Sequence, residues 1–381
     1  MKRYAQSLLV VWATLVLPQA ALAQSADTAT AALVPAPLGY ATVVEEARRL
    51  VIADQAERGY PGIAIAVSVD GETVWSEGFG FANLEQRVPM WPSVKFRVGS
   101  ISKSMTAAAV ATLVEAERLD LDAPIQRYVQ SFPAKTQPVT ARQLGGHLAG
   151  IRHYKGDENL IDEQYDTVSE ALTIFSADPL EHPPGSKFLY TSHGFNLLSA
   201  VVEGAAGEDF LTYMREAVFR PLGMGETVAD HVTPIIAGRT SYYVRDDEGR
   251  VVNAPWVNNS YKWAGGGFLS TTEDVLRFAN AHLGDDYLSR DSRRLLFTEQ
   301  HTTAGEGVGY GLGWFVATDD AGRRLLSHAG GSIGGTSLMI MQPETGVVVV
   351  GLINLSGAEN GVVRDVLRLF VDAADMTTSE P

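Results

Sequence analysis

A serine followed three residues later by a lysine, Ser100-Ile101-Ser102-Lys103, has the residue types and spacing of an activated nucleophile. On a helix, positions i and i+3 face the same way, so the Lys103 amine can lie beside the Ser100 hydroxyl. A serine hydroxyl attacks poorly until a neighbouring base takes its proton. Lysine can be that base where partial burial and a nearby cation lower its pKa. In a first helical turn, Ser100 would also have the helix dipole aimed at a developing oxyanion. The same four residues suit an N-cap serine followed by a surface lysine. The tetrapeptide alone leaves both readings open.

Two other motifs compete for the chemistry. Gly330-Gly331-Ser332-Ile333-Gly334 has the G-x-S-x-G spacing of a nucleophile elbow. An elbow needs a helix after its serine and a histidine later in the chain. Here Ser332 runs into the strand-like Ser337–Met341, and no histidine follows His328. Gly309-Tyr310-Gly311-Leu312-Gly313 resembles a dinucleotide loop, but its third spacing is wrong and it leads into a strand. It reads as a tight or bulged strand start. No His-Glu-x-x-His set is present, and with no cysteine, disulfides, thiolate metal sites and a cysteine nucleophile are excluded. His147 and His153 read as structural, and no cofactor is called for.

The elements that must position these residues follow from periodicity. A helix is expected from Thr42, with Thr42 and Glu45 at capping-box spacing and Gly59 ending it. A hairpin follows, Ile63–Val69 and Glu72–Trp75 about Asp70-Gly71. From Ser100, Met105, Ala108, Ala109, Thr112, Leu113 and Ala116 fall at helical spacing. Helices and loops continue to about Gly225, including Gly194–Glu203 and Phe210–Val218. Gly265–Gly267 reads as a turn before a helix capped by Ser270, with Glu273 at capping-box spacing. Strands return near Gly311–Val316, Leu338–Gln342 and Val347–Ile353, and a last helix puts Val363, Val366, Leu367 and Phe370 on one face. Strands at both ends with helices between imply an α+β fold, an antiparallel sheet flanked by helices and carrying an inserted, mainly helical domain. The expected division is 41–98 with 229–378 for the sheet domain, and 99–228 for the helical one.

The chain of 381 residues is 45% hydrophobic and 20% charged, enough apolar content for a substantial core. Its net charge of −15 argues against a nucleic-acid partner. Lys2 and Arg3 before the apolar run Leu8–Leu17, then Ala21-Leu22-Ala23, form a secretory signal pattern over residues 1–23. An Ala/Thr/Pro-rich leader, residues 24–40, follows. The expectation is a secreted or periplasmic protein with no membrane span once the signal is removed.

Phe96-Arg97-Val98-Gly99-Ser100-Ile101-Ser102-Lys103-Ser104-Met105-Thr106 resembles the nucleophile segment of the β-lactamase-related serine hydrolases, which include class C β-lactamases and D-Ala-D-Ala peptidases. Further family-like blocks follow in order: Val139–Leu144 through His147–Ile151, Tyr190-Thr191-Ser192, Pro221–Met224, Ala264–Ser270 and His328-Ala329-Gly330. The resemblance spans about Gly62 to Ser356. The octapeptide His147–Tyr154 and the Tyr190 segment look most like the branch holding the mitochondrial serine β-lactamase-like proteins of animals and their bacterial relatives.

The resemblance implies roles. Ser100 would be the acylated nucleophile and Lys103 its base or relay. Tyr190 would be a second general base, its pKa lowered by Lys103. Ser192 would stand where a Tyr-x-Asn element has its third residue, bonding Lys103 or substrate. The backbone N–H groups of Ser100 and Gly331 would form the oxyanion hole. His328 would replace the lysine of Lys-Thr-Gly, with Gly330 and Gly331 allowing close substrate approach. Each has a plainer reading: an interface tyrosine, a helix-capping Ser192, a His328 bonded to a backbone carbonyl. The expected function is an exported serine hydrolase acting on a small-molecule or peptide substrate through an acyl-enzyme, a peptidase or esterase. A true β-lactamase or D-Ala-D-Ala carboxypeptidase, and a non-catalytic penicillin- or peptidoglycan-binding or assembly-forming protein, are the alternatives. Oligomeric state is not legible.

Overall fold

Asp70 and Gly71 both take positive φ, 49° and 83°, the turn that matches the twist of a two-residue hairpin. In the computed structural model, which describes residues 30–32 and 38–379, this turn joins β1 (Gly62–Val69) to β2 (Glu72–Asn83). The proposed signal segment lies outside the described residues. From the other end of the chain come β3 (Phe315–Thr318), β4 (Arg324–Ser332), β5 (Gly335–Gln342) and β6 (Val347–Ile353). One antiparallel sheet results, ordered β2-β1-β6-β5-β4-β3, with Thr30–Ala32 outside β2. The chain's two ends thus meet where β6 pairs with β1, Val347 opposite Val69 and Ile353 opposite Ile63.

Every residue of β1, β5 and β6 is buried, so both faces of the sheet are covered. The period-two alternation divides them. Ile63, Ile65, Val67, Ile340 and Val349 pack against α1 (Ala41–Arg58) and α5 (Gly361–Ser379), where Phe370 stacks on Trp75. Ala64, Ala66, Met339, Met341, Val348 and Val350 face the other core, shared with α2 (Ile101–Glu115), α3 (Ser192–Ala206) and α4 (Thr272–Leu283). Between α2 and α4 the chain is mostly short helical turns, α3 being the longest element. Met214–Phe219 winds as a π-helix. The α+β architecture expected from the sequence is present.

Local signals erred by a few residues where tertiary contacts intervened. The helix expected from Thr42 starts at Ala41 after a 3-10 turn, and no side chain caps it; Gly59, at φ 59°, does end it. Thr271, not Ser270, caps α4, its hydroxyl accepting from Asp274 N–H, because Phe268–Ser270 is a strand paired with Phe96–Arg97. The strand expected at Gly311–Val316 starts only at Phe315, because Gly309 and Gly313 take positive φ and turn the chain. Strand β4 gave no signal: Ser-His-Ala-Gly-Gly-Ser has low strand propensity and is held by pairing with Gly335–Met341 of β5.

Candidate active site

Ser100 sits at the threshold of α2, and the loop before it is fixed by close backbone approaches. Gly99 has φ 50°, and a Cβ there would meet the backbone of Gly331 at 2.7 Å. A Cβ on Gly330 would lie 2.1 Å from the Val98 carbonyl and 3.0 Å from Ser100 N. The two glycines therefore let β4 press against the nucleophile loop, which Ser337 also ties down by donating to Val98 O at 2.8 Å. Gly331 is exposed, with open space where its side chain would be. Ser332 ends β4 in a turn to β5, so strand–turn–strand replaces the strand–turn–helix of an elbow.

One turn into α2, Lys103 is fully buried. Its Nζ lies 2.9 Å from Ser100 Oγ, 3.1 Å from Ser192 Oγ and 2.6 Å from Gly265 O. Burial, then the charge of Lys262, push its pKa well below the usual lysine range. Tyr190 is half-buried and stacks on Phe315. Its ring centroid is 4.9 Å from Lys103 Nζ, and its hydroxyl is near enough to Ser100 to be influenced by it. Burial raises the Tyr190 pKa, with Ser100 opposing. The expectation that Lys103 lowers it is corrected, because burial of the hydroxyl is the largest influence on Tyr190 and raises it. The other serines of the motif are occupied inside the fold: Ser102 accepts from Phe268 N–H, and Ser104 donates to Gly313 O at 2.6 Å.

Ser192 receives Lys103, while the capping of α3 falls to Thr191, which accepts from Gly194 N–H. Two histidines hold this segment. Thr191 N–H donates to His147 Nδ1 at 3.2 Å, and Ser192 N–H to His153 Nδ1 at 3.1 Å, so both rings act as acceptors at those nitrogens. Each ring thus orders the backbone of the Tyr190 segment, and His153 also lines the cleft.

The cleft, about 620 Å³, is lined by Ser100, Tyr190, Ser192, Gly330 and Gly331 among others. His328 is not among its walls. It is fully buried under Tyr190 and Phe315, Nδ1 donating to Ala329 O at 2.7 Å and Nε2 accepting from the Tyr310 hydroxyl at 2.9 Å. Burial drives its pKa down to about 3. The expected substrate contact by His328 is therefore corrected: both ring nitrogens are used inside the fold, and the ring is neutral. Sequence reading missed Lys262, Tyr154 and Asn159, which do line the cleft. Lys262 had a signal, a lysine between Tyr261 and Trp263 just before the glycine run, but nothing local told of its burial.

His328 shares its state with His147 and His282, each at most 1% exposed and held neutral by burial, His282 with a pKa of about 4. An unfolded histidine takes up a proton below about pH 6.5. The folded protein does not follow until far lower pH, so acid favours unfolding. Each such group removes up to about 1.4 kcal/mol per pH unit below 6.5. Urea midpoints should therefore fall steadily from pH 7 to pH 4.5, and a flat midpoint over that range would contradict the assignment.

The beta-lactamase family model matches residues 47–373. The mitochondrial serine beta-lactamase-like protein LACTB of Homo sapiens is 35% identical over 400 residues, covering 80% of this chain and 73% of that one. Its Mus musculus counterpart is 34% identical over 411 residues, covering 81% and 74%. Among solved structures, the octameric penicillin-binding protein homologue from Pyrococcus abyssi superposes with a TM-score of 0.75 at 28% identity, covering 86% of this chain and 77% of that one. A match that runs from α1 to α5 shows that the chain belongs to the beta-lactamase family, a family of serine hydrolases.

Proposed function

We propose that the protein is an exported peptidase or esterase that cleaves an amide or ester bond through an acyl-enzyme on Ser100. The observation that carries this reading is the buried Lys103 amine 2.9 Å from the Ser100 hydroxyl. Gly265 O can only accept, so one Lys103 N–H stays there. A neutral Lys103 can turn its lone pair to Ser100 and take the hydroxyl proton as Oγ attacks the carbonyl carbon. The oxyanion forms toward the backbone N–H groups of Ser100 and Gly331. The proton then passes to the leaving amine or alkoxide through the Tyr190 hydroxyl. With its raised pKa, that hydroxyl is a proton-carrying relay rather than a standing phenolate. Water enters in place of the leaving group and loses its proton along the same path, releasing the acid and restoring Ser100. The assembled base argues for turnover over a purely binding role.

A lactam's ring carboxylate would look for a lysine at the strand position that holds the neutral, buried His328. We therefore expect 4-nitrophenyl butyrate or a peptide amide to give a higher kcat/KM than nitrocefin, in a parallel screen with Ser100→Ala as control. Nitrocefin hydrolysis exceeding that of every ester and peptide tested would overturn the substrate reading.

Export rests on the pattern in residues 1–23; no described helix is long and apolar enough to cross a membrane. N-terminal sequencing of the protein from an exporting host should find Gln24 first. A soluble cytoplasmic form keeping Met1 would contradict this.

A further inference from the structure

Lys262 ends the 3-10 turn Asn259–Lys262 and lines the same cleft as Ser100, yet only 5% of it is exposed. Its Nζ lies 5.2 Å from the Tyr261 ring centroid and 5.9 Å from that of Tyr154. Among the described residues it makes no ion pair, and no acceptor takes a hydrogen bond from it. The acid that acts on it, Asp230, is already held by Arg97 at 2.7 Å, Arg239 at 3.1 Å and Asn259 at 2.7 Å. No aspartate or glutamate lines the cleft, although the whole chain carries −15.

A buried ammonium without an acceptor is costly, and such groups are normally paired or shed their proton. Burial has brought Lys262 down to about 7, so it stands near the point of losing its charge. The flanking aromatic rings favour the cation but cannot accept its hydrogen bonds as an oxygen would. What the site lacks is an anion, and Lys262 is part of the wall of the same cleft as Ser100.

We propose that Lys262 anchors a carboxylate of the substrate, so that the preferred acyl donor carries a negative charge near the bond being cut. A single lysine is a point charge with rotatable donors, suited to one carboxylate rather than to the forked recognition that arginines give phosphate. Lys262 stands on a different element from position 328, so the anchor selects a carboxylate placed differently from a lactam's. The proposal rests on the hydrolase reading above, and the test keeps the two apart.

Mono-4-nitrophenyl adipate and its methyl ester differ only in a free carboxylate. The unmodified protein should prefer the acid by at least tenfold in kcat/KM, expressed mainly in KM. Lys262→Met should erase that preference, whereas Lys262→Arg should keep part of it. Any change with the methyl ester reports the altered field on Lys103, so the acid-to-ester ratio isolates the anchor. Lys262→Met should also fold, with a Tm no lower than the parent, because an apolar chain of similar length replaces an unpaired charge. Binding is read separately in Ser100→Ala protein, where hexanoate but not hexanamide should raise Tm, and Lys262→Met should abolish the effect. If neither ester turns over yet hexanoate binds through Lys262, the hydrolase reading falls and the anchor stands. If the esters turn over with equal kcat/KM, or hexanoate acts equally with and without Lys262, the anchor is overturned.

Discussion

Replacing Ser100 with alanine is expected to lower kcat/KM on the best substrate by about a thousandfold or more, leaving the contributions of binding and oxyanion stabilisation. The size of the loss follows from the arrangement around the hydroxyl. Lys103 Nζ is 2.9 Å away and the Tyr190 hydroxyl is close by, so the proposed proton path ends on this one oxygen. Among the described serines near it, Ser192 alone also touches Lys103, at 3.1 Å. Ser102 and Ser104 are buried and bonded within the fold, and Ser332, though it borders the cleft, forms no hydrogen bond from its hydroxyl that could activate it. The variant should keep its fold, because Ser100 is half-exposed and its side chain does not cap α2. Steady-state kinetics with circular dichroism as a folding control would measure this. A loss of less than tenfold would mean that another group attacks.

Lys103 should be nearly as costly to lose. Lys103→Ala removes the base, and acylation should slow by on the order of a thousandfold. Lys103→Arg should not rescue it, although the charge and reach are similar, because a guanidinium does not give up its proton near neutral pH and cannot accept one from Ser100. Tyr190→Phe should also slow acylation severely, and the double variant should be little worse than Lys103→Ala, since the two groups serve one proton. Single-turnover acylation rates for the four proteins would show this. Full activity in Lys103→Arg, or losses that simply multiply, would mean that Ser100 is activated some other way.

Much of this site was legible because its signals are local. Spacing alone put Ser100 and Lys103 on one face of a helix, and the Asp70-Gly71 turn announced the first hairpin. The strands Leu338–Gln342 and Val347–Ile353 were equally plain, and they pair as β5 and β6. What escaped were facts of three-dimensional burial. His328 sits on a strand of weak propensity, and only the packing of Tyr190, Tyr310 and Phe315 over it shows that it faces inward and stays neutral. Lys262 has the same residue type as any surface lysine; its seclusion comes from Tyr154, which is remote in sequence, and from the neighbouring Tyr261. The direction of the Tyr190 pKa was missed for a related reason. It is set first by the burial of Tyr190 itself, which residue type does not show.

The most direct test of the account is to catch the covalent intermediate. Protein mixed with 4-nitrophenyl butyrate, quenched in acid within the first turnovers and digested, should yield one peptide heavier by a single butyryl group. Fragmentation should place that group on Ser100, and Lys103→Ala should show little of it at the same time point. Acylation of Ser332 or of a lysine, or turnover with no acylated peptide at any quench time, would contradict an acyl-enzyme on Ser100.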